Sequence, residues 1–154
     1  MKKYISPFLA ATLEVLSTMA NTPARPGNPL KRDPKPADGV ISAIIDMTGG
    51  TNGSISITFS ESCIVQVVNN MLGESYTEMN DQIQDAVGEL VNMISGAARK
   101  RLEANGFRFT AGIPHTVTGE GHTIDHSVQG AVVVIPFKTE GGLFYVEACF
   151  TDSN

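Results

Sequence analysis

The sequence predicts an α+β domain: an antiparallel β-sheet with helices packed on it. Three observations predict this. Residues 40–47 (VISAIIDM) and 54–59 (SISITF) flank the glycine-rich stretch TGGTNG, the pattern of a β-hairpin. A second pair of apolar, β-branched runs, residues 128–137 and 143–150, flanks KTEGG. Between the pairs, apolar residues recur at helical spacing. Strands that return through short turns pair antiparallel, and the helices then gather on the sheet.

A chain of 154 residues can bury one full core and is short for two. Residues 1–154 therefore read as a single domain with an N-terminal helix over 5–20, a proline-rich loop over 21–39 and a main body over 40–150. Hydrophobic content of 42% and charge of 18% are ordinary for a soluble globular protein. A net charge of −5 argues against nucleic acid as a partner, since such a partner selects a basic face. No apolar run approaches the roughly 18 residues that cross a bilayer, so no membrane partner is expected. Cys63 and Cys149 have no metal-ligand or redox spacing and read as buried small hydrophobes in a reducing, cytoplasmic compartment.

The first twenty residues have the outline of a signal peptide, with a Lys-Lys start and an apolar middle. Glu14 interrupts that middle, whereas Ile5, Phe8, Leu9, Leu13, Leu16 and Ala20 recur as on an amphipathic helix, which is the preferred reading. Five of the eight prolines fall within residues 23–36, so that stretch is expected to be a surface excursion, neither helix nor inner strand. Gly49, Gly50 and Gly53 sit as in a phosphate-binding loop, but no Lys-Ser/Thr follows and the next element is a strand. A hairpin turn is the expectation. Ser60 caps a short helix that ends at Gly73, and a long helix runs over residues 80–104 until Gly106 stops it. Short β-like runs follow at 107–110 and 116–118, then the second strand pair.

The long helix carries the candidate site. Stepping about 100° per residue puts Ile83, Val87, Leu90, Ile94, Ala98 and Leu102 in one stripe, the core face. Asp85, Glu89, Asn92 and Gly96 form a second row nearly opposite, spaced i, i+4, i+7, i+11. Polar rows on outer faces usually serve solubility. This row also holds Gly96, and Gly88 stands nearby. Each costs roughly 1 kcal/mol against alanine inside a helix, with no local compensation. A missing side chain one turn past Asn92 lets another surface approach.

The runs GGTNGSISITFS, GELVNMISGAARKRLE and IPHTVTG resemble the CheX branch of the CheC/CheX/FliY chemotaxis phosphatases, over roughly residues 40–150. That family's signature is an acidic or Ser residue, three positions, Glu, two positions, Asn. Asp85, Glu89 and Asn92 match it position by position. Members with two sites repeat the motif on an earlier helix. Here that helix offers Glu14 followed by Ser17 in place of Asn, so Glu14 is expected to be non-catalytic.

The resemblance implies a CheC/CheX-like fold and dephosphorylation of the phospho-aspartate of a CheY-like response regulator. Asn92 would position the attacking water, and Glu89 would dock the regulator by pairing with its active-site lysine. Asp85 would either orient the ridge or favour the N-terminal half of the helix through its dipole. Mg²⁺ is expected on the regulator, with no cofactor held by this chain. A neutral amide suits the task because it orients water through both its carbonyl and its NH₂ without repelling the phosphoryl oxygens.

The rival enzyme is a metal hydrolase built on His115, His122 and His126. TGEGHTIDHSVQG reads as loop or strand, and in a strand His122 and His126 would stand about 13 Å apart, too far for one ion. The rival class is a non-catalytic module docking on a chemotaxis or flagellar-switch protein, for which an amide at Asn92 has no special merit. The resemblance also implies a homodimer joined by strand pairing. GAVVVIPF and GLFYVEACF are the candidate edges, the alternative being that both strands are interior and fully paired within one chain; Pro136 marks an edge or strand end, and the ridges are left free for two regulators per dimer.

Overall fold

The computed structural model describes residues 2–32, 39–49, 52–126 and 130–151. In chain order the elements are α1 (Lys2–Met19), β1 (Ala24–Pro26), β2 (Leu30–Arg32), β3 (Ile41–Gly49), β4 (Gly53–Phe59), α2 (Glu61–Leu72), α3 (Asp81–Ala104), β5 (Phe109–Ala111), β6 (His115–Thr118), β7 (Val132–Thr139) and β8 (Gly142–Phe150). Gly50 and Thr51 of the expected turn, residues 33–38 of the proline-rich stretch and residues 127–129 at the start of the expected strand 128–137 lie outside the described residues.

One antiparallel sheet results, ordered β1-β7-β8-β4-β3-β5, with β2 also on β7 and β6 also on β3. Both expected hairpins form: Met47 pairs with Gly53 at the tip of one, and Thr139 with Gly142 at the tip of the other. The β4–β8 ladder, from Gly53↔Phe150 to Phe59↔Phe144, joins the two hairpins at the centre.

The proline-rich stretch departs from the expected plain loop. Ala24–Pro26 and Leu30–Arg32 each add a short strand to β7. Edge pairing tolerates the prolines because the outward side of an edge strand needs no donor. Pro136 stands at the break between the two strands, where its carbonyl accepts the Gly27 N–H at 2.7 Å. Its missing donor therefore faces the gap and removes nothing from the β8 ladder. This corrects the reading of Pro136 as an edge or strand end, and of β7 and β8 as free dimer edges. Both strands are paired on both sides within the chain. The outer borders are made of short, interrupted strands: β1 and β2 on one side, β5 and β6 on the other.

The two faces of the sheet are built differently. Ile41, Ala43, Ile45, Met47, Ile55, Ile57 and Phe59 point to the helices and join the core, together with Phe137, Phe144 and Val146. Phe144 packs against Phe59 and stacks on Phe137 with ring centroids 4.7 Å apart. The alternate residues Ser42, Ser54, Ser56 and Thr58 look polar enough for solvent but are buried. Hydroxyl–histidine bonds hold the segment after β6 to this second face. Ser42 Oγ lies 2.6 Å from Thr58 Oγ1 and 2.6 Å from His122 Nε2, while His122 Nδ1 faces the Gly119 carbonyl at 2.6 Å. A carbonyl only accepts, so Nδ1 carries a proton; in the neutral ring Nε2 then accepts from Ser42. His126 is held likewise, with Nδ1 2.5 Å from Ser54 Oγ and Nε2 3.0 Å from Glu147 Oε1.

A buried bond whose partner is removed leaves an unsatisfied group costing about 1–3 kcal/mol. His122→Ala is therefore expected to lower unfolding free energy by about that amount in urea titrations, against less than about 0.5 kcal/mol for His115→Ala, whose side chain is exposed. Equal effects from the two would contradict a structural role for the His122 chain.

Candidate functional site

The direction of α3 is set at its N-terminal end. Asn80 caps it, its side chain accepting the Ile83 N–H at 2.8 Å. α2 closes at Gly73 in the left-handed region, φ 68°. The Asn69 side chain then clamps the connection, donating to the Tyr76 carbonyl and accepting its N–H, each at 2.9 Å. Glu61 accepts the Met79 N–H at 3.2 Å. With both ends of the connection tied, α3 cannot roll freely about its axis.

The expected inner stripe of Ile83, Val87, Leu90, Ile94, Ala98 and Leu102 is wholly buried. α3 lies over β3, β5 and β6, with α1 and α2 packed alongside. Asp85, Glu89 and Asn92 are exposed on the far side, and Gly96 is half-buried. Among the described residues, none of the three polar side chains is hydrogen-bonded within the chain. The ridge thus presents two free carboxylates and a free amide along about two turns of helix.

A Cβ built on Gly88 or Gly96 would meet no atom within 4 Å. Internal packing does not require either glycine. Their effect is to keep the surface low on either side of Asn92.

Glu14 is exposed on α1 but not free: Arg101 of α3 bonds its carboxylate at 2.5 Å. With Ser17 in the later position, α1 offers neither an unpaired carboxylate nor an amide. Lys100 and Arg101 are not marked out by the sequence motif. Their place beside the ridge emerges only when α1 is laid against α3, although the four-residue step from Gly96 to Lys100 was a readable signal.

The histidines go to separate places: His122 and His126 to hydroxyls of the second face, His115 to the surface of β6. Among the described residues, no three His, Cys, Asp or Glu side chains converge as a metal site. Burial pushes the thiols of Cys63 and Cys149 above the ordinary range; Glu147 adds to the rise at Cys149, and a Thr139 contact partly offsets it at Cys63. At neutral pH both stay protonated and are poor nucleophiles. No described helix is long and apolar enough to cross a membrane.

The profile of the family described as chemotaxis phosphatase CheX matches residues 41–138, a span that includes all of α3. The chain belongs to the CheX family. It is 32% identical over 80 residues to the CheY-P phosphatase CheX of Thermotoga maritima, a stretch covering 51% of this chain and about half, 52%, of that relative. A CheC-like superfamily protein from Shewanella sp. PV-4 is similar along nearly the whole length, with 40% identity, 99% of each chain covered and a TM-score of 0.91. CheX from Borrelia burgdorferi, solved as a complex with CheY, BeF₃ and Mg²⁺, shares 26% identity over 97% of this chain and 98% of that one, with a TM-score of 0.79.

Open space at Gly88 and Gly96 has a measurable consequence. Gly88→Ala and Gly96→Ala are each expected to raise unfolding free energy by about 0.5–1 kcal/mol, through helix propensity and a less flexible unfolded chain. A drop in the urea midpoint for either variant would reveal a packing role that the open space denies.

Proposed function

We propose that this CheX-family chain dephosphorylates the phospho-aspartate of a CheY-like response regulator, with Asn92 positioning the attacking water and Glu89 docking the regulator. The observation that carries the reading is the ridge itself: an amide and a carboxylate one turn apart, exposed and unbonded, on a helix held by its opposite face. The complex of a related CheX with CheY, BeF₃ and Mg²⁺ supports the partner and the metal's place on the partner's side.

In the reaction, the oxygen of a water forms a bond to phosphorus as the bond from phosphorus to the aspartate oxygen breaks. The electron pair leaves with the aspartate carboxylate, and both of the water's protons end on inorganic phosphate, released as H₂PO₄⁻. Most of the catalysis is positioning and charge stabilisation. Asn92 enters the partner's pocket with a carbonyl that accepts from the water and an NH₂ that donates to an anionic oxygen. Glu89, one turn earlier, pairs with the regulator's lysine and sets the angle of entry. Asp85 supports the ridge, and Gly96 lets the regulator close on it. Mg²⁺, held by the regulator, would supply charge neutralisation. The setting is the cytoplasm, in two-component signalling.

The chain acts as a homodimer in this proposal. With β7 and β8 paired internally, the β5–β6 border is the favoured contact. Ile113, 90% exposed between these two strands, supports it, since an isolated apolar side chain at a sheet border gains by being covered. Light scattering at micromolar concentration is expected to give twice the mass of one chain, and a monomer mass would refute the dimer.

The catalytic reading is tested on the regulator. Asn92→Ala is expected to reduce turnover of a phosphorylated CheY-like regulator by at least about 100-fold with an unchanged melting curve, since the side chain is exposed and makes no hydrogen bond among the described residues. Glu89→Ala is expected chiefly to raise KM. An Asn92→Ala protein that still accelerates phosphate loss like the wild type would refute the assignment.

A further inference from the structure

Beside the ridge, between α1 and α3, runs a groove of about 530 Å³ lined by Glu14, Met93, Gly96, Ala97, Lys100 and Arg101. Met93, Gly96 and Ala97, all half-buried, give it a low, largely apolar floor. Gly96 belongs to both groove and ridge. Lys100 continues the ridge one turn further, about 12 Å along the axis from Asn92 at the ordinary helical rise.

The charges are unequal. Arg101 is neutralised by Glu14, whereas Lys100 has no ion partner among the described residues. Two cations against one carboxylate leave the groove at +1. On the other side of Asn92 stand Asp81, Asp85 and Glu89, all exposed. The outer face of α3 is therefore acidic before Asn92 and basic after it, with the amide at the boundary.

A specific interface buries about 800 Å² per partner, a patch of roughly 16 Å radius if round. A patch of that size centred on Asn92 covers Gly96 and Lys100 as well. A lysine covered beside apolar surface demands a counter-charge, because an unpaired desolvated cation costs several kcal/mol.

We propose that the groove is the second half of the regulator-docking surface. An apolar side chain of the phosphorylated regulator enters over Gly96, and a neighbouring carboxylate of the regulator pairs with Lys100. The proposal rests on the reading of the ridge as the regulator site and adds to it a determinant of which regulator is accepted. Glu89 selects a cation and Lys100 an anion about 16 Å away along the helix. A regulator with the reverse polarity is rejected by like charge at both ends.

The test uses the full chain and a CheY-like regulator loaded with BeF₃ and Mg²⁺ for binding, or phosphorylated for turnover. Lys100→Glu is expected to raise both Kd and KM by about tenfold or more at low salt, with kcat within about twofold of wild type. This penalty should shrink markedly in about 0.5 M salt. Gly96→Leu is expected to raise Kd by a similar factor without that salt dependence, while its melting temperature does not fall. Kd and KM within about twofold of wild type for both variants would overturn the groove proposal. If Asn92→Ala is inactive while both groove variants bind normally, the groove falls and the catalytic ridge stands. If the groove variants lose binding but the wild type shows no turnover, the docking surface stands and the phosphatase reading falls.

Discussion

The burial of one stripe of α3 governs everything else in this molecule. Ile83, Val87, Leu90, Ile94, Ala98 and Leu102 are wholly buried. Truncating a buried leucine or isoleucine of this kind costs about 2–5 kcal/mol, against a total stability of about 5–15 kcal/mol for a typical domain. The stripe therefore fixes the rotation of α3 with force to spare, and a helix has only one far side. Asp85, Glu89 and Asn92 are held outward by the burial of the opposite face, so the fold positions them without hydrogen bonds that would occupy their side chains.

That arrangement separates stability from chemistry along a single helix. The inner face, the Asn80 cap and the Asn69 clamp hold the element in place. The outer face carries two helix-interior glycines that the fold does not use. Retaining two such positions in one helix forgoes roughly 1–2 kcal/mol of propensity. A low surface around Asn92 is a return that only a second molecule could collect.

The ridge was legible in the sequence because helical periodicity is a strong signal over 24 residues. Both central hairpins were legible for a similar reason, their apolar runs being long and bounded by glycines. Four features were not. β1 and β2 hide among prolines, which normally argue against strands; only edge pairing on β7 admits them. The Ser42, Ser54, Ser56 and Thr58 alternation reads as a solvated face, yet that face is buried under a histidine-bonded segment. Local pattern cannot reveal a distant segment that covers a face. The same limit left open whether the apolar β7 and β8 runs were edges or interior strands; both are paired on both sides within the sheet. The groove beside the ridge was hidden too, since it depends on how α1 lies against α3 and on Glu14 taking up Arg101.

In the proposed reaction, α3 delivers a neutral amide into the partner's phosphorylation pocket. The most direct measurement is a crystal structure of this chain with a CheY-like regulator bearing BeF₃ and Mg²⁺. The Asn92 amide is expected within about 3.2 Å of a water or fluoride in line with the bond from beryllium to the aspartate, and the Glu89 carboxylate on the regulator's lysine. A complex in which the regulator docks elsewhere and leaves Asn92 in solvent would contradict it.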